Sequence, residues 1–306
     1  MIEILFGGVL PIFAIGAIGF WFGRQGLFDL AMASAINRFV FYVAIPALGL
    51  RLLIRAPMDE FNPLLQAGFL ATEIVVYASV FVISRYLFKT DTKEAILLGL
   101  ACALTNHILF VLPIATALFG ETATAPIVAI ITMDIILLFS GTLIAMEFMS
   151  SGGGSISHVL GKISKNPPIL SIALGLAISL IGLKVPQSLD VFLEFTGAAA
   201  APCALFAMGI VLSQSQPQQA GRAYLPVTLA AIKLLIHPAL AWLMLTVLFD
   251  TTSSATAPVM MIAAAPCGAM AFVLALNYQI RVDAIARAIL YSSIGSLLTI
   301  TLAASL

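Results

Sequence analysis

Apolar runs of about twenty residues follow one another along almost the whole chain, separated only by short stretches of charge, Gly and Pro. A run of that length matches the hydrocarbon thickness of a bilayer when coiled as an α-helix. The composition agrees: 61% of the 306 residues are hydrophobic, 9% are charged, and mean hydropathy is +1.12. A soluble domain carries about a quarter charged residues, so the expected fold class is an all-α, polytopic membrane protein in the lipid bilayer. Net charge is zero and no basic patch occurs, which argues against nucleic acid as a partner.

The punctuation predicts ten spans, at 4–23, 31–54, 62–88, 95–119, 123–147, 167–183, 188–213, 223–249, 254–278 and 282–304. The N-terminal "MIEILFGGVLPIF" lacks a positive n-region and a small-residue cleavage site, so it reads as the first span rather than a signal peptide. A Ser/Gly-rich segment, "SSGGGSISH" at 150–158, reads as a flexible linker near the midpoint. Residues 1–149 and 167–306 then form two halves of five spans, joined by a cytoplasmic linker over 150–166. With the N-terminus outside, ten Lys and Arg residues fall on the cytoplasmic side. Only Arg51, Arg55 and Lys184 fall opposite, and Lys233 lies within a span. This positive-inside bias places both termini on the outer, periplasmic side of the inner membrane.

The halves share landmarks. Pro11 and Pro167 are 156 residues apart, as are Pro46 and Pro202; Glu73 and Lys233 are 160 apart, as are Asn106 and Pro266. Because five is odd, the second half crosses the membrane in the opposite sense, giving a 5+5 inverted repeat. Such repeats place substrate and coupling-ion sites near mid-membrane, at discontinuous helices.

Two segments carry the signs of discontinuity. "TNHILFVLPIATALFG" (105–120) puts Asn106 and His107 in the middle of a span, with Pro113 beyond them. Its repeat mate "AAAPCGAMAFVLALNY" (263–278) carries Pro266, Cys267 and Gly268. Proline removes a backbone donor and clashes with the preceding turn. Lipid cannot satisfy the freed groups, so each break must be covered by protein or line a wet cavity. A single proline usually marks only a kink, but two at equivalent positions, one beside Asn and His, point to a site. Half-helix N-termini there suit an anion such as a carboxylate.

Three ionisable residues lie at mid-depth: Glu73 in span three, Asp134 in span five and Lys233 in span eight. Each costs about 2.5–3.5 kcal/mol at a helix centre on insertion scales, so such residues mark function or pair up. Glu73 and Lys233 read either as an ion pair joining the two halves or as part of transport coupling. Asp134 has no evident partner and reads as a proton carrier or as a silent protonated core acid. His107 and His237 read more simply as hydrogen-bonded packing residues. Cys102, Cys203 and Cys267 lie inside apolar runs and read as small packing residues, not as a disulfide framework or metal site. No GxSxG, HExxH, P-loop or dinucleotide-binding signature appears, so neither an enzyme nor a metal or other cofactor is expected.

Several of these stretches together carry a family resemblance: "INRFVFYVAIPALGL" (36–50), "KNPPILSIALGLAISLIGLKVP" (165–186), "AAAPCALFAMGIVL" (199–212), "IKLLIHPAL" (232–240) and "AAPCGAMAFVLALNY" (264–278). Across essentially its whole length the chain resembles the auxin efflux carrier family, which includes plant auxin exporters and bacterial malonate or malate permeases. The resemblance implies the fold of bile-acid and sodium–proton transporters. Spans one, two, six and seven would form a scaffold, and spans three to five with eight to ten a mobile core. Spans four and nine would cross at their prolines, beside the substrate. Asn106 and Pro113 match the family's span-four motif, Pro266, Gly268 and Tyr278 its span-nine motif, and Lys233 a basic residue five before Pro238; Glu73 lies near an acidic position of span three. Two departures stand out. The long hydrophilic loop of the plant members is replaced by the short linker, and Asp134 stands where those members often carry Gln.

The expectation is a secondary transporter that moves a small organic anion, auxin-like or dicarboxylate, across the inner membrane by an elevator-like motion. Asn106, His107, Pro113, Pro266, Cys267, Gly268 and Asp134 would form the substrate site, with Glu73, Lys233 and Asp134 handling charge and a proton as coupling ion. A homodimer through the scaffold is part of the same implication. The alternatives are a sodium-coupled symporter of the bile-acid type, which wants more than one acid at the crossing, and a non-transporting membrane sensor or anchor.

Overall fold

The computed structural model describes residues 10–56, 62–107, 111–120, 124–150, 156–214, 222–251 and 256–303. Among them the regular structure is helical, and the only strand-like pairing is a single antiparallel bridge between Thr105 and Cys267. The helices are α1 (Leu10–Arg24), α2 (Leu30–Ile54), α3 (Pro63–Leu87), α4 (Thr92–Ala103), α5 (Leu112–Phe119), α6 (Ala125–Ser150), α7 (Ile156–Ile163), α8 (Pro167–Leu180), α9 (Gln187–Gln214), α10 (Leu225–Leu248), α11 (Thr256–Ala264), α12 (Met270–Asn277) and α13 (Asp283–Ala303). Six of them, α2, α3, α6, α9, α10 and α13, are long and apolar enough to cross a membrane; α8 is apolar but shorter.

Helix ends coincide with capping chemistry legible in the sequence. Asp29 accepts from Met32 N at 2.8 Å, Asn62 from Leu64 N and Leu65 N at 3.1 Å each, and Asp91 from Glu94 N at 3.0 Å. Each satisfies donors that the first turn leaves over. The segment read as a flexible linker differs in part: residues 151–155 lie outside the described residues, but α7 begins at Ile156. The run "ISHVLGKI" has no Pro and only one Gly, so nothing local opposes a helix there.

The polarity of the molecule is inverted relative to a soluble protein. Phe195 is 82% exposed, Leu180 and Ile181 are 72% exposed, while Glu73, Asp134, Lys233 and His237 are all at 0%. Large apolar side chains outside and charges inside are what hydrocarbon demands, because a charge facing lipid has no partner.

Two groups of helices matter for the site. α1 packs lengthwise on the second half of α9, and α2 packs on α8 and on the first half of α9. Small residues allow the closest approach: a Cβ on Gly209 would stand 2.7 Å from Phe20 N, and one on Gly197 2.9 Å from Leu48 Cα. At one end Arg51 and Arg55 reach Asp190 at 3.0 and 2.6 Å, and Arg51 also reaches Glu194 at 3.1 Å, tying α2 to α9. In the other group α3 packs on α4 and α10, α12 on α4, and α13 on α10 and α11. Here Arg222 joins Glu94 at 3.1 Å and donates to the Lys89 carbonyl at 2.7 Å.

Candidate functional site

Both segments expected to be discontinuous are interrupted, and the interruptions meet. α4 stops at Ala103 and α5 starts at Leu112, with Leu104, Thr105 and Asn106 out of helix between them; α11 stops at Ala264 and α12 starts at Met270. The first interruption lies before Pro113 rather than at it. Pro113 occupies the first turn of α5, where a helix has no use for the missing N–H. Residues 108–110 of this stretch lie outside the described residues. Pro266, by contrast, stands in the middle of its interruption and is buried.

Thr105 and Cys267 face each other in the antiparallel bridge, and Gly268 N donates to the Ala101 carbonyl at 3.0 Å. Gly268 is required by this contact: a Cβ there would stand 2.6 Å from the Leu104 carbonyl oxygen. Peptide groups freed by the interruptions find side-chain partners. The Ile262 carbonyl accepts from Thr105 Oγ1 at 3.0 Å, the Ala264 carbonyl from Thr299 Oγ1 at 2.6 Å, and Cys267 N donates to Ser292 Oγ at 3.0 Å. Backbone left over from a broken ladder is thus absorbed by hydroxyls, as a dry interior requires.

A cavity of about 260 Å³ opens beside the crossing. One wall is built by α2, α8 and α9 (Gly49, Ile172, Gly197, Ala201 and Ala204 among others), the opposite wall by Leu104–His107, the middle of α6, and Ala269, Met270 and Val273. Among the described residues its lining is apolar except for Thr105, Asn106, His107 and Asp134. The start of α12 also faces it, and its N-cap residue, Ala269, supplies no side-chain bond. The capping residue thus leaves the first N–H groups of α12 without a side-chain acceptor, while Phe272 N turns back to the Ala269 carbonyl at 3.1 Å.

Asp134, expected to stand without a partner, has one. His107 Nε2 lies 3.0 Å from Asp134 Oδ2, close enough for charge pairing but not aligned as an N–H···O hydrogen bond. Wide π turns interrupt five stretches of the described helices; one, over Ile135–Phe139, follows Asp134 directly, and another, over Ile232–Ile236, contains Lys233. Such turns displace helical side chains from their regular angular positions and recur at functional sites.

Lys233 is not paired with Glu73. Its ammonium donates to Thr105 Oγ1 and sits 2.9 Å from His237 Nδ1, and no carboxylate forms an ion pair with it among the described residues. Glu73 lies beside Asp134 and within reach of the Lys233 charge. The structure thus brings Asn106, His107 and Asp134 to the cavity, and sets Pro266, Cys267, Gly268, Glu73 and Lys233 behind it as the support of the crossing. Tyr278 stands apart and donates to Glu147 Oε1 at 2.8 Å; Asn166 donates to the same oxygen at 2.9 Å.

Sequence reading missed Thr105 and the α9 wall. A threonine in an apolar run carries no distinctive signal, but "GAAAAPCA" (197–204) did: a row of small residues marks a surface meant for close approach.

The chain matches the family described as "Membrane transport protein" over residues 4–304. It is 30% identical to a protein of Rhizobium meliloti (strain 1021) named "Putative malonate transporter", over 96% of this chain and 93% of that one. An uncharacterized transporter of Escherichia coli (strain K12) is 24% identical over 70% of each chain. One from Methanocaldococcus jannaschii is 22% identical over 96% of each. The apolar helices, the charges folded inward and these relatives agree: the chain belongs to the membrane transport family of the auxin efflux carriers, and is a multi-pass membrane transport protein rather than an enzyme.

Proposed function

We propose that this protein is a secondary transporter that carries a small carboxylate across the cytoplasmic membrane by an elevator-like motion. In this reading the chain crosses the membrane ten times as a 5+5 inverted repeat, with both termini on the outer face. α1, α2, α8 and α9 form the scaffold, through which two copies associate. The remaining helices form the moving core.

The observation that carries the reading is the cavity between these two groups. It lies where a core sliding past a scaffold would expose bound solute to one side and then the other, and its scaffold wall is apolar, built from Gly and Ala together with Ile45, Leu48, Leu52 and Ile172. Among the described residues its polar groups all come from the core side: Asn106 to hydrogen-bond a carboxylate, His107 to offer a ring N–H, and the N-terminus of α12 to supply backbone donors. The name of the Rhizobium relative makes malonate the first compound to try.

The test is uptake of labelled malonate and other mono- and dicarboxylates into vesicles holding the purified protein, with and without sodium. Uptake at the wild-type rate by both Asn106→Ala and Pro266→Ala proteins would remove the site assignment. A strict sodium requirement would favour the symporter alternative.

A further inference from the structure

Behind the cavity lies a cluster of charged and titratable groups more extensive than anion binding requires. Glu73 from α3 and Asp134 from α6 stand side by side at 0% exposure. Among the described residues neither Glu73 oxygen accepts an N–H or O–H, and the Asp134 oxygens meet no donor apart from the misaligned His107 ring. The other titratable groups around them are Lys233 and His237 on α10, and the Cys102 and Cys267 thiols at the crossing. Lys233 is held by Thr105 and His237 rather than by either acid.

Two adjacent carboxylates cannot both stay ionised in a dry interior, because like charges repel there almost unscreened. An ionised carboxylate with no donor is also costly to bury. A proton between the acids removes both difficulties, since the protonated group becomes the donor that its neighbour lacks. Charge then balances: one negative charge on the acid pair against one positive charge on Lys233.

From this geometry we propose that Glu73 and Asp134 hold one proton between them, and that a second proton joins the Asp134–His107 end whenever an anion enters the cavity. The step is a proton transfer alone: an O–H or N–H bond forms at Asp134 or His107, and no other bond changes. The added proton offsets the charge that the anion would otherwise place against Asp134, so anion and proton favour each other's binding. Glu73 is thereby a positioning residue that touches no substrate and sets the charge of the residue that faces it. The proposal rests on the carboxylate-transport reading only for its second half.

Infrared spectroscopy of the full chain in nanodiscs tests the first half without any substrate. At neutral pH the wild type should show a protonated-carboxyl stretch that is lost in Glu73→Gln and displaced in frequency in Glu73→Asp. Absence of the stretch in the wild type, or an unaltered stretch in both variants, overturns the pair. The second half is read in vesicles, using malonate as the probe and an internal pH dye. Wild-type apparent affinity should rise by up to about tenfold per unit fall in pH, the limit for one linked proton, and protons should enter with malonate. In Glu73→Gln the ratio of uptake with and without a proton gradient should fall to about one. Malonate uptake by the wild type without proton entry overturns the coupling. If the wild type moves no malonate or other carboxylate, the transport reading and the coupling fall together, while the infrared stretch still decides the acid pair.

Discussion

Gly268 and Leu104 belong to different interrupted segments, yet they approach so closely that a single added methyl on Gly268 would stand 2.6 Å from the Leu104 carbonyl oxygen. The neighbouring Gly268 N to Ala101 carbonyl bond, at 3.0 Å, fixes the distance. The two segments are therefore one structural unit, and the cavity wall depends on their contact.

Gly268→Ala should lower stability by about 1–3 kcal/mol, the range for forcing a methyl into a packed interior. Thermal unfolding in detergent measures it. An unchanged melting temperature would mean that the two segments can part without loss.

Thr105→Val keeps the shape of the side chain and removes its hydroxyl. The Ile262 carbonyl then keeps only its bond from Ala265 N, at 3.3 Å, and the Lys233 ammonium keeps only His237 of its two partners. A lost hydrogen bond costs about 0.5–1.5 kcal/mol, and one to a charged group about 1.5–3 kcal/mol. The expected result is a drop in melting temperature larger than that of Thr228→Val, whose hydroxyl bonds only within its own helix, to the Tyr224 carbonyl.

Ala201→Phe should fill the cavity from the scaffold side while leaving the crossing intact, since Ala201 lines the cavity and is only partly buried. Uptake of labelled malonate should fall at least about tenfold, equivalent to about 1.4 kcal/mol, with little change in melting temperature. Wild-type uptake by this variant would place the solute elsewhere.

Gly209→Ala examines the scaffold by itself. The new methyl would press on the backbone of α1 near Gly16 and Phe20, where two helices meet with almost nothing between them. A loss of about 1–3 kcal/mol is expected, again by thermal unfolding. Protein that remains folded should keep its carboxylate affinity, because no cavity residue is touched.

Much of this could be read from the chain alone, and the reason is the solvent. Hydrocarbon permits so few backbone solutions that apolar run length, proline and stray charge suffice to mark helix ends and interruptions within a few residues. Asn62 and Asp91 cap where a capping residue precedes an apolar run, and the breaks lie near Asn106 and Pro266.

What the chain alone could not decide was partnership. That His107 would face Asp134, that Lys233 would turn to Thr105 and His237 instead of Glu73, and that Glu73 would stand beside a second acid all depend on the rotation of separate helices about their axes. The π turns after Asp134 and around Lys233 shift that rotation without a marker in composition. Helix packing selects the angle by fitting small residues to neighbouring backbones, over contacts a hundred or more residues apart, and spacing along one strand of sequence carries no record of it.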